Sequence, residues 1–213
     1  MKNLTTTTTI IIIILFISCK KENSILSEKF QPINYTIKNN YIDSVGKKII
    51  PNSDYKYWQY ASYIQHYGGE SKHIILIEGG DLTLKNKIEK VFNPSQNRGF
   101  FTGGHPSYRC NYAITIDNDN IVRFIETEEE FKSFLGNIDN IEEALLLAKT
   151  YGYNLDDDIK GSEYRKIKNG FELHLMKFHQ YPTSKESVEI TILKDGSIKT
   201  KSLGIYCKGY DCD

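Results

Sequence analysis

The 213-residue sequence predicts an α+β fold, an antiparallel sheet with helices packed on one face. Three observations carry that expectation. In the C-terminal half the turn-forming runs Asp117–Asn120, Lys168–Asn169–Gly170 and Asp195–Gly196 each separate two strand-like segments. The same half holds two helix starts of the capping-box kind, Thr127 with Glu130 and Asp139 with Glu142. The composition, 39% hydrophobic and 12% aromatic, is that of one ordinary globular core.

The chain opens with MKNLTTTTTIIIIILFIS. Lys2 supplies a positive start, Ile10–Ile17 an apolar run and Ser18 a small residue before a cut, so residues 1–18 read as a cleaved signal peptide. The apolar part falls short of the roughly 20 residues that span a bilayer. Cys19 follows, and here the stretch resembles bacterial lipoprotein signal peptides, whose lipobox ends in a small residue and then a cysteine. It departs from the usual pattern with Phe16, not Leu, three places before the cysteine; Leu15 lies one place further back. The resemblance implies that the Cys19 thiol takes a diacylglyceryl group and its freed amine a further acyl chain. Several chains hold far more firmly than one, because each buried CH2 contributes about 0.8 kcal/mol. The implied location is the outer membrane or another part of the cell envelope, facing periplasm or surface.

Residues 19–50 are polar and aperiodic, a tether whose later pieces, Tyr35–Ile42 and Ile49–Ile50, join the edge of a single domain over 51–213. Ser53 as a cap, Gly68–Gly69 as a stop, and Tyr57, Ala61 and Ile64 on one face predict a helix, against the strand propensity of its tyrosines. His73–Glu78 reads as a strand closed by a Gly79–Gly80 turn, and Leu84, Ile88, Val91 and Phe92 as a short helix ending before Pro94. Gln96–Tyr108, with Gly103–Gly104, reads as a loop. Tyr112–Ile116 and Ile121–Ile125 form a hairpin, and Phe131, Phe134 and Leu135 lead a helix to Gly136. In Asp139–Tyr153 the residues Ile141, Ala144, Leu145 and Ala148 make a single apolar stripe, closed by Gly152. An acidic loop, Asn154–Gly161, precedes strands over Tyr164–Ile167, Phe171–Phe178, Val188–Leu193 and Ile198–Tyr206. The clearest part, 111–206, therefore runs β-β-α-α-β-β-β-β. From Ile141 to Tyr206 this order, with the Asp195–Gly196 turn, resembles the PepSY type of small domain. That resemblance implies an exported module that binds or restrains other proteins.

Charge excludes more than it selects. Lys+Arg 27 against Asp+Glu 27 leaves no basic surplus for a nucleic acid, and loss of Lys2 with the signal changes little. Of the cysteines beyond Cys19, Cys207 and Cys212 can close a terminal loop, CKGYDC; Cys110 can instead pair with Cys207, or all three can stay free. His105 and Cys110, five apart in GGHPSYRC, invite a thiol hydrolase, which needs a base beside the thiol. With Cys207 and Cys212 they nominally make four zinc ligands, but His-x4-Cys is not a zinc spacing and CxxC is absent. His174 points away from Leu173 and Leu175, toward solvent, and Asp156–Asp158 lacks the spacing of a calcium loop. No metal and no cofactor are expected. The favoured reading is a non-enzymatic, lipid-anchored binding or restraining module whose partners are the membrane and another envelope protein. The alternative is an envelope thiol hydrolase or metal-dependent enzyme built on His105 and Cys110.

Overall fold

The computed structural model describes residues 29–35, 41–51, 54–66, 68–91, 99–103 and 107–212. The signal segment, Cys19 and the first part of the tether lie outside the described residues. In chain order the first half gives β1 (Gln31–Pro32), α1 (Tyr41–Gly46), β2 (Tyr57–His66), β3 (Ser71–Gly80), α2 (Lys85–Val91), β4 (Phe100–Gly103), β5 (Ser107–Ile116) and β6 (Val122–Ile125). The second half gives α3 (Glu128–Leu135), α4 (Ile141–Thr150), β7 (Tyr153–Asn154), β8 (Ser162–Ile167), β9 (Gly170–Gln180), β10 (Thr183–Leu193) and β11 (Ile198–Lys208). The strands make two antiparallel sheets, not one. The first runs β1-β8-β9-β10-β11, with β7 also on β9; the second runs β3-β2-β5-β4, with β6 also on β5.

One apolar cluster links both sheets through the helices. It takes Leu173, Leu175, Val188 and Ile190 from the first sheet, Tyr60, Ala113 and Ile125 from the second, and Phe131, Phe134 and Leu145–Leu147 from α3 and α4. Helix α4 is therefore buried on more than the expected stripe: Leu146 and Leu147 are as inaccessible as Ala144 and Ala148. A helix apolar on nearly all sides belongs inside a structure, not on its surface. Phe131 of α3 meets Phe100 at 4.7 Å between ring centroids and Tyr60 at 6.2 Å, which seats α3 on the second sheet.

In place of the helix expected over Ser53–Gly69, Tyr57–His66 is strand β2; Ser53 lies outside the described residues. Tyr57, Gln59, Ala61 and Tyr63 face a smaller cluster with Cys110, Ile114 and Ile88, while Tyr60 faces the main core. β2 lies between β3 and β5 and is buried on both faces, so no polar alternation marks it, and the β-propensity of its tyrosines decides the outcome. The expected loop Gln96–Tyr108 contains β4 and the start of β5. Gly79–Gly80 ends β3 instead of turning; a Cβ on Gly79 would come within 2.8 Å of the Trp58 indole, so the ring lies flat on that glycine. The short helix after Asp81 and the Thr127–Glu130 capping box form as read.

For α4 the cap is one residue later than read: Asn140 and Glu143 make the box, not Asp139 and Glu142. Glu143 is fully buried and accepts the backbone N–H groups of Ile50 at 3.0 Å and Asp139 at 2.9 Å. Glu142 instead takes the Tyr35 hydroxyl at 2.6 Å and Lys48 Nζ at 2.9 Å. Both acids thus hold segments assigned to the tether. Ile33, Val45 and Ile49 are buried in the main core, so the packed domain takes in residues before 51.

Candidate docking surface

Beyond Lys177 the first sheet narrows. β8 ends its pairing at Ser162 opposite Leu175, and β7 contributes only Tyr153 and Asn154, opposite Lys177 and Met176. Among the described residues, from Phe178 to Lys185 the strands β9 and β10 pair only with each other and β11, as a three-stranded arm. A polar lock holds its root. Asp156 accepts from Lys185 Nζ at 3.2 Å and from the Tyr206 hydroxyl, Ser187 Oγ donates to Lys160 O at 2.5 Å, and Lys160 Nζ lies 5.8 Å from the Tyr206 ring centre. Burial, with the Asp156 carboxylate beside it, pushes the Tyr206 hydroxyl well above the usual tyrosine range. The acidic run 156–158 serves here, Asp158 capping the short 3-10 turn Ile159–Gly161.

At the far end Gln180–Thr183 turns β9 into β10 through a cis Tyr181–Pro182 bond. Ser184 Oγ donates to Pro182 O at 3.1 Å. The C-terminal loop folds back on this turn: Gly209 N–H donates to Thr183 O at 2.9 Å, and Cys207 joins Cys212 in a disulfide with Cα atoms 5.7 Å apart. A cavity of about 500 Å³ opens between the two loops, lined by Tyr181, Pro182, Ile205, Lys208, Gly209 and Tyr210. Tyr181 is 88% and Tyr210 95% exposed, and Ile205, which lines the same cavity, is exposed as well. Solitary exposed apolar residues need no explanation; three large ones around one cavity at a stapled end do. Rigid aromatic side chains lose little conformational entropy on contact and recur as anchors of protein interfaces. Below the tip Glu186 is held under the usual glutamate range by hydrogen bonding to Ser202 and then by His179, whose Nε2 lies 2.7 Å away.

The residues singled out in the sequence do not converge. His105 lies outside the described residues. Cys110 is on β5, 2% exposed, and burial pushes its thiol up, away from the thiolate a nucleophile requires. Because Cys207 bonds to Cys212, the Cys110–Cys207 pairing does not form, and the nominal zinc set loses two thiols. Among the described residues no group of three or more His, Cys, Asp or Glu is placed to hold a metal ion. His174 does point away from the core, but it is not open to solvent. Phe30 stacks on it at 4.1 Å, Glu163 Oε1 lies 2.7 Å from Nδ1, and the Arg165 guanidinium lies 4.7 Å from the Phe30 ring centre. A second cleft of about 510 Å³ between β4, α3 and α4 holds Lys149, lowered by burial and bonded to Asn154, above Glu128 and Glu129.

Sequence reasoning missed Tyr181 and Tyr210. Their signal was an aromatic residue inside a hydrophilic turn, in QYPTS and in CKGYDC. The structure defines a two-sheet antiparallel domain with an enclosed helix, α4, and a three-stranded arm. Comparison with protein-family models, curated proteins and solved structures finds no match to this chain.

Proposed function

We propose that this protein is a non-enzymatic binding or restraining module, held at the cell envelope by acyl chains on Cys19, that presents the tip of the β9–β10–β11 arm to another envelope protein. The observation that carries this reading is the group of exposed Tyr181, Tyr210 and Ile205 around a cavity at a disulfide-stapled end. The direction of the chain supports it. Gln31 pairs with Tyr164 and Pro32 with Glu163, antiparallel, so the chain reaches the fold from the side of the β8–β9 turn. The arm tip is at the opposite end of β9, seven residues beyond His174, which at about 3.4 Å per residue is roughly 24 Å. The described chain thus enters the sheet at the end opposite to the arm tip. The thiol-hydrolase alternative draws no support from a buried Cys110.

Two measurements test the reading. Cys19→Ala is expected to move the protein from the membrane to the soluble fraction; unchanged membrane association places the anchor elsewhere. Joint replacement of Tyr181 and Tyr210 by Ala is expected to lower capture of the envelope partner at least about tenfold, the size typical of interface anchors, with unfolding by urea unchanged. Undiminished capture moves the working face off the arm.

A further inference from the structure

The outermost strand of the arm and the first sheet is β11, and among the described residues nothing pairs with its other side. Lys199 through Ile205 are all exposed, and the strand IKTKSLGIYCK holds three lysines, Lys199, Lys201 and Lys208, and no acid. Lys199 lies opposite Thr191 and Lys201 opposite Glu189, so the two ammonium groups share one face of the sheet. Neither makes a hydrogen bond or ion pair among the described residues. Lysines on an exposed edge discourage a second copy from adding there, since a paired β11 would set like charges against one another. The same lysines favour a strand of opposite charge. Past Lys201 the strand reaches Leu203 and Ile205, and Ile205 lines the 500 Å³ cavity with Tyr181 and Tyr210.

We infer that β11 takes an extended, acidic segment of the partner protein by strand addition, with a bulky apolar or aromatic residue of that segment seated between Tyr181 and Tyr210. This rests on the reading of the arm as the docking surface and gives its partner a chemistry. Backbone hydrogen bonds along the open edge supply affinity, carboxylates at alternate positions face Lys199 and Lys201, and the cavity selects the apolar anchor. The occupant is a different protein and not a second copy, because among the described residues no strand carries acids at alternate positions to complement β11.

The test presents the full-length lipidated chain, held in detergent, to a displayed library of random twelve-residue peptides. Enriched peptides are expected to carry Asp or Glu at alternate positions beside a bulky apolar residue. They are expected to lose binding at least about tenfold to the joint variant Lys199→Glu, Lys201→Glu, the loss of two rim charge pairs, and as strongly when methylated on alternate backbone nitrogens. Peptides enriched without acids, equal binding to the charge-reversed chain, or no enrichment at all overturn the inference. So does binding to vesicles containing anionic lipid through the same lysines with no peptide selected. If charge reversal leaves capture of the envelope partner intact while the Tyr181 and Tyr210 variant loses it, strand addition fails and the docking role of the tip stands.

Discussion

Replacing Leu146 by Ala separates a helix enclosed by two sheets from one that merely covers a sheet. A single stripe of Ile141, Ala144, Leu145 and Ala148 would leave Leu146 toward solvent, where truncation costs within about 0.5 kcal/mol. In the structure Leu146 has no accessible surface and belongs to the cluster joining both sheets. The substitution removes three carbons, about 2.4 kcal/mol at about 0.8 kcal/mol for each buried methylene. The surrounding strands relax only in part, and the cavity left behind brings the expected loss to about 3–4 kcal/mol. Urea unfolding followed by far-ultraviolet circular dichroism measures it, in a Cys19→Ala background that keeps lipid out of the titration. The midpoint falls while the slope with urea stays constant, and the melting temperature drops by roughly 6–16 °C. A loss under about 1 kcal/mol, the size of a surface truncation, refutes the enclosure of α4.

Three further outcomes are expected. Burial raises the Glu143 carboxyl above the usual glutamate range despite the N–H groups it accepts. Its folded pKa thus exceeds its unfolded one, and the stability it contributes is full below the unfolded value and lost as pH rises through the folded one. The stability of the parent relative to Glu143→Gln should fall across that interval, and urea titrations in which it rises with pH refute the assignment. Cys110, buried and with its thiol raised, should resist alkylation in the native state and react fully once unfolded; rapid native labelling counted by mass spectrometry would show an open thiol. Opening the six-residue loop closed by Cys207 and Cys212 should cost about 2 kcal/mol by loop entropy. Faster amide exchange around Thr183 and Gly209 would report it, with α4 unaffected, and exchange accelerated throughout the chain would contradict a local staple.

What the sequence made legible was whatever local chemistry decides. Thr127 and Glu130 cap α3, Asn169–Gly170 and Asp195–Gly196 turn the strands, and the β-β-α-α-β-β-β-β order of the C-terminal half is present, with the two-residue β7 added. The cap of α4 shifts by one residue because Asp139 and Asn140 are both good caps, and Ile50 N–H selects Glu143 as the acid turned inward. β2 was illegible for a different reason. Tyr57 and Tyr60 are buried on opposite faces of one strand, so the two-residue period carries no change in polarity, and Tyr57, Ala61 and Ile64 also satisfy a helical period.

The arm tip escapes both kinds of rule. Tyr181 and Tyr210 are 29 residues apart, and neither stabilises the core, so no periodicity can mark them. They come to line one cavity because β10 and β11 pair in a register that brings Thr183 O to Gly209 N–H, and because Cys207 and Cys212 hold the last loop there. That arrangement also divides the protein energetically. The residues enclosing α4 set whether the chain folds, while the tip side chains stand in water and contribute little to that balance. Variation at Tyr181 or Tyr210 is therefore expected to register in partner binding and not in stability, whereas variation at Leu146 registers in stability first.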